Sequence, residues 1–167
     1  MTASATGSAA TAGAENSRGG PTVLRERLSG YQEDPAVVSS AGTAEVRLTI
    51  DETQQQISYV LSYRALEGTV TQAHIHFGGR AQSGGISVFL CTNAGNGPAG
   101  TQACPAAPGT VTGVLRAADV IGPAGQGIAA GQFDEFVRAI RANVTYVNVH
   151  SSLFPGGELR AQLQHRH

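Results

Sequence analysis

The sequence predicts an all-β fold, an antiparallel Greek-key-like β-sandwich or barrel with one short helix. Three observations predict it. Apolar and polar residues alternate over seven short segments, glycine and proline punctuate the gaps between them, and a single segment has a helical period. Glycine reaches 22 residues and tryptophan is absent, a composition suited to many tight turns between short strands.

Taken in chain order, Ala44 to Ile50 alternates strictly, stops at Asp51-Glu52-Thr53-Gln54 and resumes from Ile57 to Tyr63, which reads as a hairpin with a short polar connection. After Glu67-Gly68 comes a strand from Val70 to Phe77, closed by Gly78-Gly79. Ser83-Gly84-Gly85 leads into a strand from Ile86 to Cys91, and a proline-rich loop precedes one from Thr110 to Leu115. Tyr146 to His150 and Glu158 to Leu163 complete the set. Phe133, Phe136, Val137 and Ile140 recur at i, i+3, i+4 and i+7, with Asp134-Glu135 early and Arg138 and Arg141 late, as a helix dipole favours. That spacing predicts one helix of about ten residues whose apolar stripe packs on the core.

The 167 residues suit one domain with a tail. The formal net charge is -1, which gives no overall steering toward nucleic acid or an anionic membrane, and every basic residue is arginine. No apolar run approaches the roughly 18 residues of a membrane span. Residues 1–22 are mostly Ala, Ser, Thr and Gly without apolar periodicity, so a disordered leader or linker is expected there, or the remnant of a processed signal peptide behind an added methionine. The domain is expected over 23–164, and 165–167, His165-Arg166-His167, as a frayed end or an adventitious metal site.

Cys91 and Cys104 flank a stretch made almost wholly of turn formers. A disulfide there would staple a floppy loop and point to an oxidising, secreted or extracytoplasmic setting. Two unpaired thiols in a cytoplasmic loop are the alternative. The spacing is not that of a redox or zinc C-x-x-C motif.

Three of the five histidines lie in two strands, Ala73-His74-Ile75-His76 and Asn148-Val149-His150. Strand alternation sends His74 and His76 from one face and Ile75 from the other; likewise Tyr146, Asn148 and His150 share a face. A His-x-His pair reads either as two metal ligands or as a hydrogen-bonded pair. If the second strand lies beside the first, three imidazoles converge on one point, a donor set for copper or zinc.

Leu28-Ser29-Gly30-x-Gln32-Glu33-x-Pro35, then Ala73-His74-Ile75-His76, then Tyr146-Val147-Asn148-Val149-His150 followed by Pro155-Gly156-Gly157-Glu158-Leu159-Arg160-x-Gln162, together resemble the CHRD domain, a module first described in chordin and common in secreted bacterial proteins. The resemblance covers about residues 24–164 and implies an antiparallel β-sandwich. Its His-x-His strand is also similar, as a site only, to the copper strand of copper-zinc superoxide dismutases. Position by position, the resemblance points to His74, His76 and His150 as metal ligands, with Glu33, Asn148, Glu158 and Arg160 as polar residues around them. Glu33 or Glu158 would take the second N–H of a ligating ring. The alternative for Glu158 and Arg160 is a buried structural network at the entry to the last strand. Tyr31 and Asp34 stand where small or apolar residues are commoner in the family, and Phe77 where a glycine is typical. These are either the dressing of a pocket, together with Tyr146, or neutral changes.

Two functions follow. One is a transition-metal protein, copper first and zinc second, redox-active toward superoxide, dioxygen or a small substrate. The other is a non-catalytic extracellular adhesion or protein-interaction module with a structural ion or none. No G-x-S-x-G elbow or phosphate loop joins a strand to a helix, which argues against a serine hydrolase or nucleotide enzyme.

Overall fold

The computed structural model describes residues 20–165. Its strands are β1 (Thr22–Leu28), β2 (Thr43–Asp51), β3 (Gln56–Arg64), β4 (Val70–Phe77), β5 (Gly85–Thr92), β6 (Gly109–Leu115), β7 (Thr145–Ser151) and β8 (Leu159–Gln162), with one helix, α1 (Phe133–Arg141), between β6 and β7. They build two four-stranded antiparallel sheets, ordered β1-β2-β3-β6 and β5-β4-β7-β8. The hairpin β4–β5 crosses to the second sheet and β6 returns beside β3, a Greek-key-like path that leaves two open sheets and no closed barrel.

Strand β1 is the element that sequence periodicity does not reveal. Leu24 and Leu28 face inward, but Glu26 takes the inward position between them and Arg25 and Arg27 point out, so charge interrupts the apolar alternation. Of the segment 1–22, residues 1–19 lie outside the described residues, and Thr22 already pairs with Ile50. In the tail, only His165 is described.

Strict alternation in β2 and β3 sends Val46, Leu48, Ile50, Ile57 and Leu61 into the core, where they meet Ile75, Val88, Leu90, Val147 and Val149 of the second sheet. Helix α1 adds Phe133, Phe136, Val137 and Ile140 to the same core. Its arginines pair with acids, Arg138 with Glu135 and Arg141 with Glu52.

Cys91 and Cys104 are joined by a disulfide. Asn93 organises the enclosed loop: its amide donates to the carbonyls of Val70 and Cys104 and its oxygen accepts from Cys104 N–H. Replacing both cysteines by alanine is expected to lower stability by about 3 kcal/mol, the closure entropy of a loop this short. Urea unfolding with and without reductant measures it, and an unchanged midpoint refutes it.

The two sheets differ on their outer sides. That of the first carries exposed residues along β1, β2, β3 and β6. In the second sheet every residue of β7 and β8 is buried, because loops cover its outer side.

Candidate metal centre

The covered face is polar, which is unusual for a buried surface and demands that each group find a partner. Strand β7 lies directly against β4, with His74 opposite Asn148, His76 opposite Tyr146, and His150 opposite Gln72. His150 therefore sits diagonally across from His74, within reach of a ring. Register shifts between Ala73 and His74 and between Ile75 and His76 perturb the β4–β5 ladder at the His-x-His motif. Each of the three rings offers a nitrogen, and these atoms lie within 4.8 Å of one another.

The ring protons are fixed by backbone. His76 Nδ1–H donates to Gly84 O at 3.0 Å and His150 Nδ1–H donates to Pro155 O at 2.9 Å; carbonyls only accept, so both Nε2 atoms carry lone pairs. His150 Nε2 lies 3.2 Å from His74 Nδ1. His74 Nε2 and His76 Nε2 are buried and have no hydrogen-bond partner. Orphaned buried acceptors cost about 1–3 kcal/mol each, a cost that a cation in the trio removes. By this test the residues present fit a metal ion: an all-imidazole donor set, two rings held by outer hydrogen bonds, and two lone pairs otherwise unused.

Packing completes the frame. Phe89, opposite His74 in β5, meets its ring edge-on at 4.4 Å. Tyr146 stacks on His76, centroids 4.8 Å apart and planes 2° from parallel. Above Tyr146 lies the guanidinium of Arg160, 3.5 Å from the ring centroid. Arg160 also donates to the carbonyls of Gly79, Arg80 and Gln82, and Gln162 donates to Gly78 O, so β8 holds the β4–β5 loop over the histidines.

Asn148 donates to Glu33 Oε1 at 2.7 Å and to Leu159 O at 3.2 Å. Gly157, at φ +136, passes so close that a Cβ would lie 2.6 Å from Asn148 Nδ2 and 2.7 Å from Glu33 Oε2; the glycine makes room for this pair.

Several sequence expectations are corrected. The acceptors of the ring protons are the Gly84 and Pro155 carbonyls, not the carboxylates of Glu33 or Glu158. Glu158 and Arg160 form no common network: Glu158 Oε1 accepts from Ser40 Oγ and Glu67 N–H, which pins two loops, whereas Arg160 serves the β4–β5 loop. Tyr31 is 69% exposed, and Phe77 packs against the hydrophobic core. Asp34 receives a hydrogen bond from Ser83 Oγ, a tie between the loop after β1 and the loop before β5. Sequence reasoning missed Phe89, Gly84 and Pro155. Phe89 was within reach of a register argument, but backbone acceptors leave no residue-type signal.

Burial sets the protonation. Desolvation lowers His74 to about 2, assisted by His150 and His76; it lowers His76 to about 4 against the Gly84 hydrogen bond; it lowers His150 despite the Pro155 bond. Desolvation raises Glu33 to about 7, opposed by Arg160 and Asn148. In the unfolded chain the histidines return to 6.5 and Glu33 to 4.5. Below pH 6.5 the unfolded state thus binds protons at His74 and His76 that the folded state refuses, His150 adds in the same direction, and stability falls as pH falls. Glu33 acts oppositely, since its folded carboxyl stays protonated up to about 7. His74 and His76 outweigh Glu33 by about one proton taken up on unfolding near pH 5.5, a loss of roughly 1.3 kcal/mol per pH unit that His150 increases. Urea midpoints of the metal-free protein between pH 7.5 and 5.5 test this, and a flat profile contradicts it.

A two-sheet antiparallel sandwich with three buried imidazoles on the outer face of one sheet is the class that this fold and site define. The family model of the CHRD domain matches residues 24–163, and the chain belongs to the CHRD domain family. No curated protein and no solved structure matches it.

Proposed function

We propose that His74, His76 and His150 hold one transition-metal ion, copper ahead of zinc, in an exported protein. The observation that carries this reading is the convergence of three ring nitrogens within 4.8 Å, two of the Nε2 atoms being buried and unused. Their depressed basicity leaves the lone pairs free at neutral pH without competition from protons. An imidazole set lacking thiolate accepts copper or zinc, and intrinsic affinity favours copper. The Cys91–Cys104 disulfide supports export to an oxidising compartment.

When bound, copper supplies one-electron chemistry, and three protein donors leave a position for water or a small oxidant such as superoxide or dioxygen. The chain's own contribution is to fix two ring orientations through Gly84 and Pro155 and to shield the rings with Phe89 and Tyr146. Exposures of 1% for His74, 9% for His76 and 6% for His150 restrict any substrate to that size. The same burial favours a second reading, a non-catalytic extracellular adhesion or protein-interaction module whose ion is structural.

The test is elemental analysis after loading with Cu²⁺ or Zn²⁺, wild type beside His74→Ala, His76→Ala and His150→Ala. Wild type is expected to retain about one ion per chain and each variant to lose it. Superoxide turnover by the copper form selects the redox reading, and a bound ion without turnover selects the structural one. A wild type that retains no ion removes the metal from both.

A further inference from the structure

The outer face of the β1-β2-β3-β6 sheet, opposite to the histidines, concentrates charge that the whole chain does not. The chain's net charge is -1, yet four of its eleven basic residues, Arg25, Arg27, Arg47 and Arg64, are exposed on this one face. The facing carboxylate is Glu45, ion-paired with Arg27; Asp51, at the far end, accepts from Gln54 N–H in the β2–β3 turn. Arg25 stands directly opposite Arg47 in the β1–β2 ladder. Like charges at opposed positions destabilise a sheet, and an anion lying between them removes the repulsion.

Register places the other groups. Arg27 pairs across to Glu45, and Thr43 to Arg64, so the four guanidinium groups span three rows of three adjacent strands. At strand spacings of about 4.8 Å and alternate-residue steps of about 6.8 Å, that is a patch roughly 14 by 10 Å. Two surface grooves border it. One of about 690 Å³ is lined by Arg27, Arg64, the hydroxyls of Thr43, Ser62 and Thr110 and the ion-paired Glu45; the other, of about 550 Å³, by Arg25, Arg47 and Glu26.

We propose that this face binds an acidic polysaccharide, a linear chain bearing sulfate or carboxylate groups. Guanidinium groups match such oxyanions with paired hydrogen bonds, and the interleaved Thr and Ser hydroxyls match sugar hydroxyls. A single-stranded nucleic acid fits less well, because the outward positions of β1, β2, β3 and β6 carry no aromatic ring on which a base can stack. An anionic bilayer fits less well too, since the apolar residues there are the separate valines Val23, Val60 and Val114.

The experiment uses the full chain and heparin as the probe, with affinity measured against NaCl concentration. Wild type is expected to bind with a slope of log Kd on log salt of about 3, the mark of several displaced counterions. The double variant R25S/R47S is expected to bind at least about tenfold more weakly near 0.1 M salt and to lose close to two units of that slope. Its Tm is expected to stay the same or rise, which separates lost binding from lost folding. The helix variant R138S/R141S, of equal charge change, is expected to bind like wild type. The proposal is overturned by absence of heparin binding, by full affinity in R25S/R47S, by equal losses in both double variants, or by duplex DNA or anionic vesicles binding as tightly at matched charge.

Discussion

Arg160→Ala is expected to lower stability by roughly 4 kcal/mol, a fall of about 8–16 °C in Tm for a domain of this size. Arg160 is only 2% exposed, and the guanidinium donates to Gly79 O at 2.7 Å, Gln82 O at 3.0 Å and, more weakly, Arg80 O at 3.4 Å. Charged hydrogen bonds contribute about 1.5–3 kcal/mol each, and the carbonyls left behind are themselves a penalty. The stack on Tyr146 adds about 1–2 kcal/mol more when desolvated. These terms share one side chain and do not add fully, which is why the expected loss stays near 4 and not at their sum. Arg160→Lys separates charge from shape: an ammonium keeps the charge but cannot lie flat on Tyr146 while reaching three carbonyls, so an intermediate loss is expected. A Tm within about 2 °C of wild type for Arg160→Ala contradicts the assigned role.

Side-chain direction along each strand is legible in the sequence, whereas the neighbours of each strand are not. Strand alternation places His74 with His76 and Asn148 with His150 on common faces, because side-chain direction in a strand follows from position alone. That β4 and β7 are neighbours is a matter of topology, which the family motifs imply but periodicity does not. The disulfide was legible in the turn-forming stretch that it closes. Strand β1 was not, because Glu26, Arg25 and Arg27 conceal the two inward leucines. The acceptors that orient His76 and His150 were not either, since any residue type supplies a carbonyl. As carboxylates near the motifs, Glu33 and Glu158 are the expected acceptors of the ring protons, yet Glu33 pairs with Asn148, and Glu158 with Ser40 and the Glu67 backbone.

Gly84→Ala is expected to cost roughly 4 kcal/mol and to weaken the metal binding proposed for the histidine trio by about 10–100-fold. A Cβ on Gly84 would lie 1.7 Å from Phe77 O and 2.5 Å from Phe77 C, both backbone atoms of a paired strand with no side-chain freedom to give way. The loop itself must move instead. Gly84 N–H donates to Tyr146 Oη at 3.1 Å and Gly84 O accepts the His76 proton at 3.0 Å, so any displacement breaks the two bonds that orient the stacked Tyr146–His76 pair. Without its acceptor, His76 is free to exchange tautomers and turn its lone pair from the trio, which is the physical route from a methyl group to lost affinity. Gly79→Ala in the same loop is the matched control. Its Cβ meets the flexible end of Gln82 at 2.9 Å and is expected to cost less than about 1 kcal/mol, with metal binding retained. Denaturation midpoints and metal titrations of the two variants decide the matter: a Gly84→Ala as close to wild type as Gly79→Ala shows that the loop tolerates bulk anywhere and that the Gly84 carbonyl does not set the orientation of His76.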